Sequence, residues 1–170
     1  MANHTPLEHV CPLCRLAINQ PSQNLSPGHS EIISQLDQVF AIITKHQWPN
    51  NYSNGIGFPN DHYKNLADLP LSSAAPIHKA AQDIALAMKK TWQRDGISLR
   101  QQHYEPAGCQ DVRHDHLHIT PRCKNDHLGT LCSTSASIMP EDERVKLAAQ
   151  LRKAPHVLSP QPKGYPYAAN

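Results

Sequence analysis

The apolar positions of the chain fall into a few short runs separated by polar, turn-forming segments. VFAIIT, residues 39 to 44, is compact and partly β-branched and reads as a buried strand. WPNNYSNG, 48 to 55, is a turn cluster, and GIGFP, 55 to 59, reads as a second short strand stopped by Pro59. Residues 76 to 94 carry the clearest helical period: Ile77, Ala81, Ile84, Met88 and Trp92 recur on one face, and Gly96 ends the segment. Pro76 suits a first helical turn, with Ser72 or Ser73 as the cap. This apolar stripe is core packing and takes no part in chemistry. ISLRQQH, 97 to 103, reads as a strand, EPAGCQ as a turn, and DVRHDHLHIT, 111 to 120, as a further strand. A second helix begins at Pro140, places Glu141, Asp142 and Glu143 where the helix dipole favours acids, carries Val145, Ala148 and Leu151, and ends before Pro155. Strands separated by one long helix predict an α+β fold with a mostly antiparallel sheet, a long central helix and a C-terminal helix.

The remaining segments set the boundaries. Residues 1 to 10 read as a flexible arm, 19 to 30 as a loop, and 154 to 170 as a Pro-rich tail, which leaves one domain over 11 to 153. No internal repeat is visible. Formal net charge is only +2 with His neutral, and Lys and Arg are scattered, so no basic stripe points to a nucleic-acid duplex. No run resembles a signal peptide or a membrane span, and a cytoplasmic protein with no membrane partner is expected. Five cysteines cannot all pair internally. In a reducing compartment the close pair Cys11 and Cys14 reads as a metal clip or redox pair, and Cys109, Cys123 and Cys132 as plain thiols.

RHDHLHITPR, 113 to 122, is the unusual stretch, with His114, His116 and His118 in strict alternation. In a strand all three point to one face, with Asp115, Leu117 and Ile119 on the other. Asp115 then reads as an exposed residue near a sheet edge. Such a row of imidazoles suits either of two chemistries. Alternate histidines can ligate Zn²⁺ together. A neutral imidazole can also attack phosphorus while a neighbouring one donates hydrogen bonds to the phosphoryl oxygens. Spacing alone leaves both open.

QDVRHDHLHITPR resembles the signature of the histidine triad superfamily, Q-x-V-x-H-x-H-x-H-x-x-P-R, at Gln110, Val112, His114, His116, His118, Pro121 and Arg122. GIGFPNDHYKNLADLP, 55 to 70, resembles the family's G-h-h-h-h-P-x-x-H-h-x-N-L-x-D-L-P stretch, where h is apolar. CPLCRL, 11 to 16, resembles the C-x-x-C of its zinc-carrying, bacterial-type members, and PEDERVKLAAQLR their following helix. The resemblance implies a histidine-triad-like fold and a homodimer. It implies a hydrolase or nucleotidyl transferase acting at the α-phosphate of nucleoside phosphoramidates or dinucleoside polyphosphates. His116 is then the nucleophile that forms a nucleotidyl-histidine, and His118 and Gln110 contact the phosphate or leaving group. Phe40 and Tyr104 fall at substrate-binding places, although Phe40 suits the core equally well. Cys11, Cys14, His62 and His114 make a closed structural Zn²⁺ set, and no Mg²⁺ requirement is expected. The chain departs from the family pattern at Ile56, where many members have His, at Tyr104, where Asn is usual, and at Asp115 and Thr120, where apolar residues are preferred. Two alternatives follow: a nucleotide-binding protein of the same fold with little turnover, and a metal enzyme in which all three triad histidines ligate one ion.

Overall fold

The structure is a computed structural model that describes residues 10–18, 20, 31–48, 51–104, 108–128 and 136–155. Residues 1–9 of the arm, most of the loop at 19 to 30, and the tail from 156 onward lie outside the described residues. The elements in chain order are α1 (Pro12–Ala17), β1 (Ile32–Gln35), β2 (Val39–Ile43), β3 (His46–Gln47), β4 (Gly55–Pro59), α2 (Leu71–Trp92), β5 (Gly96–Gln101), β6 (Leu117–Arg122), β7 (Ser137–Ile138) and α3 (Glu141–Arg152). Five strands form one antiparallel sheet in the order β1-β2-β4-β6-β5, and β3 pairs with β7 beside it. The α+β fold with an antiparallel sheet, a long helix and a C-terminal helix is as the sequence implies.

The two faces of the sheet do different work. Val39, Ala41, Ile43, Leu117 and Ile119 point to one side, where they pack with Ile77, Ala81, Ile84 and Met88 of α2 and Ala148 and Leu151 of α3. Phe40, Ile42, Ile56 and Phe58 point to the other, under Leu13 and Leu16 of α1. Side-chain alternation along β2 and β4 produces this split, since all ten of their residues are buried. The register places Ile56 opposite His118 and Arg100 opposite His118 on the far strand. His118 therefore shares the α1 side of the sheet with Phe58 and Ile42.

Helix α2, strand β6 and Cys109 differ from the sequence reading. Helix α2 begins at Leu71, with Pro70 as its N-cap, and Pro76 lies inside the helix rather than in its first turn. Neither Ser72 nor Ser73 caps it; both are within it. A proline at the sixth position removes one hydrogen bond, and the flanking alanines and the buried stripe beyond it outweigh that loss. The strand read at 111 to 120 begins only at Leu117, which pairs with Gln101 of β5 and Gly57 of β4; the Asp115 N–H before it bonds Tyr63 instead. Cys109 is disulfide-bonded rather than a plain thiol, while Cys11, Cys14 and Cys123 are free. Cys132 lies outside the described residues.

Helix α2 reaches the sheet through a gap in β4. A Cβ on Gly55 would stand 3.2 Å from the Ile42 carbonyl oxygen, 3.2 Å from Met88 and 3.3 Å from Ile33, whereas a Cβ on Gly57 would meet nothing within 4 Å. Gly55→Ala is therefore expected to cost about 1–3 kcal/mol through overpacking. Gly57→Ala is expected to be neutral or stabilising by about 0.4–1 kcal/mol through reduced unfolded-state entropy. Urea midpoints of the two variants check the contrast.

Candidate active site and metal centre

The chain before β6 turns instead of extending. The His114 N–H bonds the Val112 carbonyl at 2.8 Å, and the Asp115 N–H bonds the Tyr63 carbonyl at 2.6 Å. These bonds take residues 112 to 116 out of the ladder, so only His118 of the three triad histidines stands on a strand. The His114 carbonyl then lies where a side chain can use it. His116 Nδ1 sits 2.7 Å from it. A carbonyl only accepts, so Nδ1 carries the proton and Nε2 keeps its lone pair. That is the form of imidazole a nucleophile needs.

His114 faces away from this pair. Its Nε2 lies 2.9 Å from the Pro59 carbonyl, so Nε2 donates and Nδ1 is left with its lone pair. Nδ1 points at sulfur, 3.3 Å from Cys11 Sγ and 3.4 Å from Cys14 Sγ. His62 Nδ1 lies 3.2 Å from Cys14 Sγ. The four ligand atoms all fall within 4.8 Å of one another. Tetrahedral Zn²⁺ with ordinary Zn–S and Zn–N bonds sets sulfur and nitrogen about 3.5 Å apart, close to these separations. The donor set and the His114 tautomer thus fit zinc, and the Pro59 carbonyl orients the ring from behind. The ring also stacks edge-on against Phe58, with centroids 5.6 Å apart. Between the two thiols, the bond from the Cys14 thiol and the nearby His114 favour the Cys11 thiolate, while the same bond and burial push Cys14 upward.

His116 and His118 are neighbours, with ring centroids 5.0 Å apart and the planes at 66°. Burial lowers the basicity of both, and the proximity of His116 and Arg100 adds to the effect at His118, whose pKa falls to about 3. Both rings are therefore neutral near pH 7.

The other expected residues are brought to the same region in different ways. Gln110 is fully buried, with its Oε1 accepting the Tyr104 N–H at 3.0 Å and its Nε2 donating to the Lys64 carbonyl. Its amide ties Tyr104 and Lys64 to the backbone before His114. Tyr104 adopts a positive φ of 66°, stays 43% exposed, and donates its hydroxyl to Asn65 Oδ1 at 3.3 Å. Gly108 passes close to the same backbone, where a Cβ would collide with the His103 and Tyr104 carbonyls. Phe40 is wholly inside, stacked on Phe58 at 5.4 Å.

Asp115 is not at an exposed edge. It has no accessible surface, and Gln101 Nε2 donates to both its oxygens at 3.0 and 2.8 Å. Burial raises its pKa, opposed by Gln101 and by the nearby His103. The edge reading failed because it assumed an extended strand; the turn at 112 to 116 rotates Asp115 inward. Sequence reasoning also missed Asn54, fully buried, whose Nδ2 lies 3.4 Å from His118 Nδ1. Its only signal was its place two residues before Ile56, the position opposite His118.

The histidine environment fixes a pH dependence. An unfolded imidazole takes a proton near pH 6.5, but native His118 resists it until about pH 3. Across that window the unfolded state binds more protons, so stability is present above it and falls as pH drops. Urea unfolding is expected to show a lower midpoint near pH 5 than near pH 7. His118→Asn is expected to flatten that decline.

Comparison with known proteins places this geometry in a family. Residues 57–125 match the model of the HIT domain. An uncharacterized HIT-like protein of Saccharolobus solfataricus is 30% identical over 98 residues, 58% of this chain and 68% of that protein. Among solved structures, a Hit-like protein of Bartonella henselae involved in cell-cycle regulation is 30% identical, with a TM-score of 0.65 over 81% of this chain and 90% of that one. A Zn-bound histidine triad family protein of Mycobacterium smegmatis shares the fold at 22% identity and TM-score 0.64, over 83% and 92% of the two chains. The diadenosine triphosphate hydrolase of Plasmodium falciparum shares it at 15% identity and TM-score 0.61, over 83% and 94%. With its triad histidines set beside a Cys₂His₂ cluster on this fold, the chain belongs to the HIT, or histidine triad, family.

Proposed function

We propose that the protein is a nucleotide hydrolase or nucleotidyl transferase that works through His116. The observation that carries this reading is the bond from His116 Nδ1 to the His114 carbonyl, which leaves Nε2 as a neutral nucleophile. Nε2 attacks the α-phosphorus of a nucleoside phosphoramidate or dinucleoside polyphosphate. A P–N bond forms to the imidazole and the bond to the leaving group breaks. Because Nδ1 keeps its proton, the product is a nucleotidyl-imidazolium, itself a good leaving group. Water then attacks phosphorus, the P–N bond breaks, and nucleoside monophosphate departs. The net reaction adds one water across the original bond, its protons ending on the two products. His118 stands beside the nucleophile to donate to phosphoryl oxygen. Gln110 supports the reaction by tying the backbone just before the triad to Tyr104 and Lys64. The diadenosine triphosphate hydrolase among the structural neighbours supports the substrate class.

Cys11, Cys14, His62 and His114 would hold Zn²⁺ with no open position, so the metal would fix the N-terminal segment to the sheet and take no part in catalysis. Family membership also supports a homodimer acting in the cytoplasm, with one domain over 11 to 153.

Two measurements test the reading. Adenosine phosphoramidate and diadenosine tetraphosphate are incubated without added Mg²⁺, and AMP is followed by chromatography. Wild-type protein is expected to release AMP, and His116→Ala to lose on the order of 10³-fold or more in rate. AMP binding without turnover by wild type would instead establish the nucleotide-binding alternative. Metal analysis is the second. Cys11→Ser is expected to lose bound zinc and several kcal/mol of stability. Retention of zinc in that variant would favour a site built from the three triad histidines.

A further inference from the structure

The mechanism needs opposite tautomers on adjacent rings: a lone pair on His116 Nε2 and a proton on His118 Nε2. The His114 carbonyl sets the first, and a separate polar cluster meets the second ring.

Asn54 stands just before β4, on the sheet face that carries His118 and Thr120. Thr44 Oγ1 lies 2.9 Å from the His46 carbonyl and 3.1 Å from the Asn54 carbonyl, and both only accept. The single hydroxyl proton of Thr44 goes to one of them. Its lone pairs then receive Gln47 Nε2 and Asn54 Nδ2, each at 3.2 Å. On the opposite side, Thr120 Oγ1 donates to Asn54 Oδ1 at 2.6 Å. The backbone of Asn54 is fastened as well, its N–H to Gln47 Oε1 at 2.7 Å and its carbonyl to the Thr44 N–H at 3.0 Å. Thr44, Gln47, Asn54 and Thr120 are all buried. These bonds orient the Asn54 amide with its NH₂ toward His118, 3.4 Å from Nδ1. An amide NH₂ only donates, so Nδ1 must accept.

We propose that Asn54, oriented by Thr44 and Thr120, is a positioning residue that holds His118 in the Nε2–H tautomer. The role deepens the nucleotidyl-transfer reading and rests on it for its catalytic meaning. Asn54 touches neither substrate nor reacting atoms; it acts through His118. Ile56, opposite His118 on β4, offers the ring no polar partner, so the cluster at 54 and 120 takes that task.

Nitrogen NMR of the histidine side chains in the full chain tests the assignment directly, with His118 identified by comparison with His118→Asn. Wild type is expected to show His118 protonated on Nε2 and unprotonated on Nδ1. Asn54→Ala is expected to mix the two tautomers. Asn54→Asp puts an acceptor beside Nδ1 and is expected to reverse the tautomer. Thr120→Val keeps the shape of the side chain and is expected to give a smaller shift in the direction of Asn54→Ala; it carries the test if the Asn54 variants do not fold. With adenosine phosphoramidate, kcat of Asn54→Ala is expected to fall about 3- to 10-fold with KM unchanged, the span of one hydrogen bond. Wild-type His118 protonated on Nδ1 would overturn the proposal, as would a tautomer unchanged in folded Asn54→Ala or Thr120→Val. The predicted tautomer in a protein without turnover would uphold the relay and defeat the nucleotidyl-transfer reading. Turnover with an insensitive tautomer would defeat the relay alone.

Discussion

The hydrogen bond from His116 Nδ1 to the His114 backbone carbonyl, 2.7 Å long, is the interaction on which the site depends. In a continued strand that carbonyl would point into the ladder and be used there. The chain leaves the ladder at Leu117, and the freed carbonyl accepts the Nδ1–H bond that selects the His116 tautomer. The same turn sends the His114 ring toward the two cysteines, where its other nitrogen is oriented by Pro59. One irregular segment of backbone thus turns His114 toward the cysteine pair and His116, two residues away, toward His118. Residues 112 to 116 are fastened from outside by Tyr63 and Gln101, and the next turn back by Gln110.

Much of this was legible in the sequence. The strands at 39 to 43 and 55 to 59 announce themselves as short apolar runs, because both of their faces are buried. The stripe through Ile77, Ala81, Ile84 and Met88 marks α2, because one side of that helix covers the sheet. Cys11, Cys14 and His62 lie far from His114 in sequence, and it was the family pattern, not periodicity, that joined them. What remained hidden depends on tertiary contacts. Strict alternation over 114 to 118 is the mark of a strand, yet the backbone bonds from His114 to Val112 and from Asp115 to Tyr63 end the pairing at Leu117. Asp115 looked like an edge residue because nothing local reveals that Gln101 waits for it in the interior. The start of α2 lies before Pro76, where a local rule put the first turn. Strand β1 carries only IISQ, too short a pattern to stand out.

The sheet separates an aliphatic face from one that carries buried polar groups. On the side of α2 and α3 its residues are aliphatic and closely packed, down to a glycine that admits Met88. On the side of α1, polar groups enter a buried layer: His118, Thr120 and Asn54 lie in line with the apolar row from Phe40 to Phe58. Buried polar groups are costly unless satisfied, and here they satisfy one another. The departures from the family pattern at Ile56 and Thr120 meet in this layer, the first withdrawing a polar neighbour from His118 and the second orienting another. The stability of the layer and the protonation pattern of the site have the same origin.

The most direct test of the account is to catch the covalent intermediate. Protein mixed with adenosine phosphoramidate is quenched in alkali, where phosphorus–imidazole bonds survive, and its peptides are analysed by mass spectrometry. The account predicts an adenylyl group on His116 of wild-type protein and none anywhere in His116→Ala. Release of AMP with no adduct on His116, or with an adduct on His118, would contradict it.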